Sequence, residues 1–320
     1  MNITGKRILL TGGNGFLGRH VQDKLSDHGC TQIAAPSRDE CDLTSQAQAS
    51  HLFAEFRPEV VIHLAANVGG IGKNRRSPGR IFLDNMAMGV NVLDLSVAAS
   101  VEKLVMVGTA CSYPKNSTPP FSEDDLFDGY PEPTNAPYGI AKRALGEGLA
   151  ACHKQYGIDS AYLIPTNLYG PGDNFDPDDS HVIPALIRKM TEAVDNQEDT
   201  VTVWGSGNAT REFLYVDDAA DAIVRAASVV ETHHPINLGT GGEISIGDLA
   251  NKIAKQCGYE GRLVFDSTMP DGQPRRLVDS SRANSLMGWT PKTDLDDGLT
   301  QTIRWFQNEQ AQEARLTNGE

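Results

Sequence analysis

The chain has 320 residues and a formal net charge of −14 at pH 7. This length allows a large buried core in one large or two interleaved domains, and the acidic charge argues against nucleic acid or an anionic membrane as a partner. The sequence has no run of about 18 apolar residues, so no transmembrane helix is predicted. Five cysteines without a CxxC pair fit a reduced, cytoplasmic protein better than a disulfide-bonded one.

The first half of the chain alternates short apolar runs with helical patterns. Near-continuous runs of Val, Ile and Leu separated by helices predict an α/β fold, a Rossmann-like doubly wound parallel sheet covered on both faces. In such sheets ligands bind at the carboxyl ends of the strands. The predicted strands are residues 6–11, 31–36, 59–66, 103–109 and 160–166, and the predicted helices are residues 15–28, 45–56, 80–99 and 137–156.

A glycine-rich segment follows the first predicted strand and opens the first predicted helix. This context predicts a dinucleotide-binding loop. Gly12 and Gly13 allow a tight turn. Gly15 lets backbone N–H groups approach a pyrophosphate at the positive helix end, and Gly18 lets the helix pack closely on the strand. The loop residues expected to contact the cofactor are Gly12, Gly13, Asn14, Gly15, Phe16, Leu17 and Gly18.

The end of the second predicted strand indicates which nicotinamide cofactor is bound. Arg38 lies about 20 residues past the glycines, where the adenosine ribose is recognised. An Arg there pairs with the 2′-phosphate of NADP, so NADP (NADPH) is expected. In the alternative, Arg38 is solvated and Asp39 accepts a hydrogen bond from the 2′-hydroxyl of NAD. Asp42 is expected to contact the adenine amino group or to cap the next helix.

Tyr138 and Lys142 lie four residues apart in a predicted helix and therefore share one face. A Lys ammonium there lowers the pKa of the phenol, which can then exchange a proton with an oxygen during hydride transfer. With the glycine loop, the pair predicts nicotinamide-dependent carbonyl chemistry. Cys111 and His181 add two groups that can move protons near neutral pH. A plain ketone reductase does not need them, whereas an enzyme that epimerises beside a ketone does.

The chemistry of a 4-ketohexose explains why these residue types belong together. Its C3 and C5 hydrogens are both alpha to the carbonyl, and removing either gives an enolate. Hydroxyls from Thr109 and Tyr138 at the C4 oxygen would stabilise that charge where it develops. A base on one face and an acid on the other would invert the centre. The same C4 carbon then accepts a hydride, so one site serves two reactions.

The second half of the chain has a looser pattern, with Gly and Pro between short elements. Residues 1–170 are predicted to form the nucleotide-binding domain, to which residues 215–235 return as a helix. Residues 171–214 and 236–310 are predicted to form a smaller α/β substrate-binding lobe. Residues 311–320 are predicted to be a flexible tail.

The glycine loop and the Tyr138-x-x-x-Lys142 pair resemble the extended short-chain dehydrogenase/reductase superfamily. Within it, the chain resembles the GDP-L-fucose synthase family of GDP-4-keto-6-deoxy-D-mannose 3,5-epimerase/4-reductases. The Cys111 and His181 segments are specific to this branch. The matching segments are Val68–Ile71, Cys111–Lys115, Glu132–Tyr138, Pro165–Pro171, Asp173–Phe175, Ser180–Leu186, Val203–Gly207, Arg211–Phe213 and Pro270–Gly272.

The resemblance implies a role for each matching residue. Tyr138 gives a proton to the C4 oxygen, while Lys142 holds the nicotinamide ribose. Cys111 and His181 are the base and acid of the epimerisations, in an order that the sequence leaves open. Thr109 stands where the family usually has Ser. Further cofactor contacts are implied for Arg38, Asp42, Ala65, Lys142, Pro165, Asn167, Leu168 and His181, and GDP-sugar contacts for Asn135, Asn167, Lys189, Trp204, Arg211 and Asp271.

Two departures from the family pattern and several alternatives stay open. Asn14 stands where some relatives carry an Arg for the NADP phosphate, and Asp176 where many carry His. The alternatives are a related GDP-4-keto sugar (heptose or dideoxy), a UDP-sugar 4-epimerase or 4,6-dehydratase, and a cofactor-binding regulatory protein without turnover. Cys111 could be a buried hydrophobe, His181 a helix-start residue and Trp204 simple packing. A GDP-sugar substrate and a homodimer are expected, with no metal, nucleic-acid or membrane partner.

Overall fold

The computed structural model describes residues 1–318, with side chains to residue 312 except that of Ile71. The first half contains β1 (Ile8–Thr11), α1 (Phe16–Asp27), β2 (Ile33–Ala34), α2 (Gln46–Phe56), β3 (Val60–His63), α3 (Ile71–Arg76), α4 (Pro78–Ala98), β4 (Lys103–Val107), α5 (Ala136–Tyr156) and β5 (Asp159–Pro165). The second half contains β6 (Asn167–Tyr169), α6 (Val182–Asp195), β7 (Thr200–Trp204), β8 (Thr210–Arg211), β9 (Phe213–Tyr215), α7 (Val216–Val229), β10 (Pro235–Leu238), β11 (Ile244–Ser245), α8 (Ile246–Cys257), β12 (Arg262–Asp266), β13 (Arg275–Arg276), α9 (Ser281–Met287) and α10 (Leu295–Asn318).

The central sheet has six parallel strands in the order β10-β5-β4-β3-β1-β2. Every residue of β1, β3 and β4 is buried, because helices cover both faces. One face packs on α1 and α7, and the other on α2, α4 and α5. This is the predicted Rossmann-like, doubly wound sheet.

Four of the five predicted strands are shorter in the structure, and only β5 keeps its predicted length. β3 ends at His63 instead of residue 66, and β2 keeps two residues of the predicted 31–36. The residues beyond each strand leave the sheet to form loops at its carboxyl edge. His63 itself is buried, with Nδ1 2.7 Å from the hydroxyl of Thr11, as expected for a hydrogen-bonded core histidine.

A second core lies outside the sheet, where α6, α8 and α10 pack on the pairs β6–β9 and β7–β12. The sequence predicts a smaller lobe here but not its individual strands, since strands of two to five residues give little periodicity. The predicted boundary at residue 236 does not match the packing. β10 belongs to the central sheet, and Ala283, Met287 and Trp289 pack in the core beneath it with α7.

Two further differences concern α4 and the carboxyl terminus. Contrary to the sequence-based expectation, α4 is long and apolar enough to cross a membrane by length and composition alone. It packs between α2 and α5, and the core helix of a globular domain meets the same criteria. The predicted tail of residues 311–320 continues α10 as far as Asn318, while residues 319–320 lie outside the described part of the chain.

Candidate active site

A single cavity of about 1190 Å³ opens at the carboxyl ends of the strands and extends to the second core. Of the residues that the sequence singles out for the cofactor or the substrate, all except Gly13 and the alternative NAD contact Asp39 line it. Residues from the loop after β1, the turn after β4, α5 and α6 therefore meet in one space, as expected for a parallel sheet.

The glycine loop forms the floor of the cavity at the end of β1. Gly12 has a φ of +73°, and a Cβ there would come within 2.7 Å of the backbone nitrogen of Ala65. A Cβ at Gly18 would overlap the carbonyl oxygen of Gly12, so this glycine packs on the loop instead of on the strand. Gly13 faces Ala35 and Leu10 rather than the cavity. The loop thus leaves a cradle that side chains would fill, beside the amino end of α1, and this fits a dinucleotide pyrophosphate.

The end of the cavity next to β2 carries Arg38. Its side chain is 72% exposed and lies 3.9 Å from Asp42. Arg38 lines the cavity, whereas Asp39 is not among the lining residues that the structure describes. Asp42 accepts hydrogen bonds from the backbone N–H and the hydroxyl of Thr44, which lower its pKa. Ser45 caps α2, so the alternative role of Asp42 as that cap is wrong.

Helix α5 places Tyr138 and Lys142 on one face. Lys142 is buried. Its Nζ donates to the carbonyl of Val107 at 3.0 Å and lies 5.9 Å from the centroid of the Tyr138 ring. Burial lowers the pKa of Lys142 to about 8. Burial, and secondarily Cys111, raise the pKa of Tyr138 above its ordinary value. The shift of this phenol is therefore opposite to the lowering expected from Lys142, and its largest cause is desolvation.

A short 3₁₀ turn, Ala110–Ser112, follows β4 and carries Cys111. Thr109 caps this turn: its Oγ1 accepts from the backbone N–H of Cys111 at 3.2 Å, which leaves its own O–H free to donate. Ser112 donates to the carbonyl of Gly139 at 2.9 Å. The turn is thereby fixed to α5 next to Tyr138. Cys111 is half-buried and lines the cavity, so a fully buried, inert role is wrong.

His181 is the residue before α6, as its helix-start interpretation expects, and it also faces the cavity. The side chain is exposed in the open cavity, while the protein groups around the imidazole lower its pKa by desolvation and Asp179 opposes this shift. Asp179 holds the segment in place. Its backbone and side-chain oxygens accept from the backbone N–H of Gly70 at 3.2 and 3.1 Å, which joins α3 to the His181 segment.

The opposite end of the cavity carries cationic and aromatic groups. Trp204 is 56% exposed, with Lys189 Nζ 5.6 Å from its ring centroid, so simple core packing of Trp204 is wrong. Arg211 donates to the carbonyl of Asp271 at 2.9 Å, and burial and then Arg276 lower the pKa of Arg211 to about 10. Asp271 accepts from the backbone and hydroxyl of Ser206.

Asn135 and Asn167 are both engaged by protein groups at the cavity wall. Asn135 donates to Glu132 at 3.0 Å and accepts from Asn74 at 2.9 Å. Asn167 donates to the carbonyl of Glu212 at 2.8 Å and lies 3.4 Å from Arg276. Sequence reasoning missed the contact of Arg276 with Cys111, because nothing in the sequence distinguishes this arginine from its neighbour Arg275.

Comparison with known proteins agrees with this geometry. Residues 8–239 match the NAD dependent epimerase/dehydratase family. The chain is 43% identical to "Putative GDP-L-fucose synthase 2" of Arabidopsis thaliana over 94% of this chain and 91% of that protein. It is 40% identical to "GDP-L-fucose synthase" of Escherichia coli (strain K12) over 94% of this chain and 96% of that protein.

Solved structures give the same picture. A GDP-6-OMe-4-keto-L-xylo-heptose reductase from C. jejuni superposes with a TM-score of 0.90 at 29% identity, covering 97% of this chain and 99% of the other. A GDP-L-fucose synthetase from Naegleria fowleri bound to NADP gives 0.86 at 29% identity, covering 96% of each chain. The chain therefore belongs to the NAD dependent epimerase/dehydratase family and, within it, to the GDP-L-fucose synthase family.

Proposed function

We propose that the chain catalyses the NADPH-dependent 3,5-epimerisation and 4-reduction of GDP-4-keto-6-deoxy-D-mannose to GDP-L-fucose. The observation that carries the proposal is the presence of Cys111 and His181 in the same cavity as the Tyr138–Lys142 pair. The pair serves any ketone reduction in this superfamily. A UDP-sugar 4-epimerase has no use for two further proton-transfer groups, and a regulatory protein has no use for any of them.

The residues at the floor of the cavity would hold the cofactor. The glycine loop and the amino end of α1 suit its pyrophosphate, and the exposed Arg38 suits a 2′-phosphate. Lys142 would donate to the nicotinamide ribose. NADPH, when bound, supplies the hydride that reduces C4. The Naegleria relative was solved with NADP, which supports the same cofactor here.

Epimerisation would use the turn after β4. Because the oxygen of Thr109 already accepts the N–H of Cys111, its O–H is left to donate to the C4 oxygen beside the hydroxyl of Tyr138. Both donors would stabilise the enolate. Cys111 removes the proton from C3 or C5, and His181 returns one from the other face.

Reduction would use the same C4 oxygen. The raised pKa of Tyr138 keeps its hydroxyl protonated through neutral and mildly alkaline pH, which suits a proton donor. At the other end, the exposed face of Trp204 suits stacking with the guanine, and Lys189 and Arg211 suit the diphosphate.

A related GDP-4-keto sugar is the second candidate substrate. A "GDP-L-colitose synthase" of Yersinia pseudotuberculosis is 34% identical over 95% of this chain, and the C. jejuni heptose reductase superposes with a TM-score of 0.90. A heptose or a dideoxy sugar would use the same catalytic groups. Comparing kcat/KM for the three 4-keto sugars decides between them.

The form we propose is a cytoplasmic homodimer that associates through α4 and α5. Exposed apolar side chains on these helices support the assembly: Leu83 is 59% exposed, Val90 48% and Tyr156 58%. Light scattering of Leu83→Glu against the unmodified protein tests it. A dimer that persists unchanged in Leu83→Glu would place the interface elsewhere.

The test of the activity is incubation with GDP-4-keto-6-deoxymannose and NADPH in D₂O, followed by NMR and mass analysis of the product. The unmodified protein should give GDP-L-fucose with deuterium at C3 and C5. Cys111→Ser should give slow reduction without deuterium at these positions, because a serine hydroxyl is too weak a base. His181→Gln should also impair epimerisation. Undiminished deuterium uptake by Cys111→Ser would refute the assigned role and favour a plain reductase.

A further inference from the structure

Arg276 lies on β13, paired in register with Arg211 of β8, and its side chain reaches Cys111. It is 6% exposed. Its Nη1 lies 3.4 Å from Cys111 Sγ and 3.4 Å from Asn167 Oδ1, while Nε donates to Gln273 Oε1 at 3.3 Å. The side chain is thus oriented by two neutral groups toward the sulfur.

Among the described residues, Arg276 makes no ion pair with a carboxylate, whereas the adjacent Arg275 pairs with Glu243. A buried charge without a counter-charge is costly. The half-buried Arg211 beside it adds positive charge, and the proximity of Arg276 contributes to the lowered pKa of Arg211. The site therefore favours an anion in front of the two guanidinium groups.

We propose that Arg276 is the positioning residue of Cys111: its Nη1 holds the sulfur toward the sugar and stabilises the thiolate that removes the proton. This inference rests on the proposed function, in which Cys111 removes a proton. In that step the sulfur forms an S–H bond, the C–H bond at C3 or C5 breaks, and its electron pair moves to the C4 oxygen. A thiolate is the form of cysteine that can accept the proton.

The alternative anion is the diphosphate of the substrate. The two sources differ in when Arg276 acts, because a role toward Cys111 exists before any substrate binds. Alkylation of Cys111 by iodoacetamide, followed by peptide mass spectrometry, measures this without substrate. Its outcome is therefore independent of whether the proposed sugar is correct.

Three variants should separate under this assay at neutral pH. Arg276→Gln should slow alkylation of Cys111 by about tenfold or more, the effect of losing a hydrogen bond to a charged group. Arg276→Lys should retain most of the rate, because it keeps the positive charge. Arg275→Gln is the matched control and should react as the unmodified protein does. Alkylation of the half-buried Cys152 in the same samples should not change.

A second measurement needs no Arg276 variant to fold. In the unmodified protein at neutral pH, iodoacetamide should alkylate Cys111 faster than the half-buried Cys152. Equal rates at the two cysteines would overturn the proposal. A normal alkylation rate of Cys111 in Arg276→Gln would also overturn it. If Arg276→Gln combined that normal rate with a raised KM alone, Arg276 would bind the diphosphate of the substrate instead.

With active substrate, the variants add a third measurement. Arg276→Gln should lower deuterium uptake at C3 and C5 more than it lowers binding of NADPH, and Arg276→Lys should restore uptake. Equal loss in both variants would indicate a structural role and contradict the proposal. An unmodified protein that does not turn over the 4-keto sugar would instead count against the proposed function.

Discussion

The lowered pKa of Lys142 predicts a specific pH dependence of cofactor binding. The ammonium loses its proton at about pH 8 in the protein instead of at its ordinary 10.5, because it is buried. If the ammonium donates to the nicotinamide ribose, only the protonated form binds NADPH well. With a pKa near 8, the protonated fraction falls roughly tenfold between pH 7 and pH 9, and the Kd for NADPH should rise by about the same factor.

Titrating NADPH by fluorescence at several pH values measures this change. Lys142→Met should bind NADPH weakly at every pH, and its plot of Kd against pH should show no bend near pH 8. Unfolding of the protein through this group cannot produce that bend. The unfolded chain holds this proton more tightly than the folded one between about pH 8 and 10.5, so this group makes folding more favourable as pH rises there. A Kd that is constant from pH 7 to 9 in the unmodified protein would refute the reasoning.

Three further predictions test the other parts of the site. Tyr138→Phe keeps the ring packing and should lower the rate of reduction by about 10²–10⁴-fold, with little change in NADPH affinity. Retention of more than a tenth of the turnover would contradict the role of Tyr138 as proton donor. Arg38→Ala should weaken NADPH binding far more than NADH binding; equal losses, measured by titration, would reject the phosphate contact. Gly18→Ala, which places a Cβ on the Gly12 carbonyl, should destabilise by about 1–3 kcal/mol in thermal unfolding, whereas Gly79→Ala, with nothing nearby, should not.

The nucleotide-binding half of the fold follows from the sequence because its signals are local. Strands buried on both faces are runs of Val, Ile and Leu, and the glycine loop comes directly after the first of them. The spacing of Tyr138 and Lys142 is enough to place both side chains on one face of α5. Because parallel strands end at one edge, Thr109 and Cys111 are expected beside that pair, and the cavity contains all of them.

The parts that the sequence does not predict depend on tertiary burial. The pKa of Tyr138 is raised because the folded protein desolvates it, and no spacing reports desolvation. Arg275 and Arg276 are neighbours in sequence, yet strand alternation sends one to Glu243 and the other to Cys111. β8, β11 and β13 have two residues each, too few for a periodic pattern.

The order of strands in the central sheet has a consequence for folding and for engineering of this enzyme. β10 is the edge strand beside β5, but in the chain it follows β6, α6, β7 and β9, which belong to the second core. A fragment ending near residue 170 would expose the backbone edge of β5 and the apolar face of α1 that α7 covers. Exposed edges of this kind pair with other chains. The glycine-loop half should therefore aggregate when expressed alone, and exchange of sugar-binding segments between relatives should succeed only as internal replacements that keep α7 and β10.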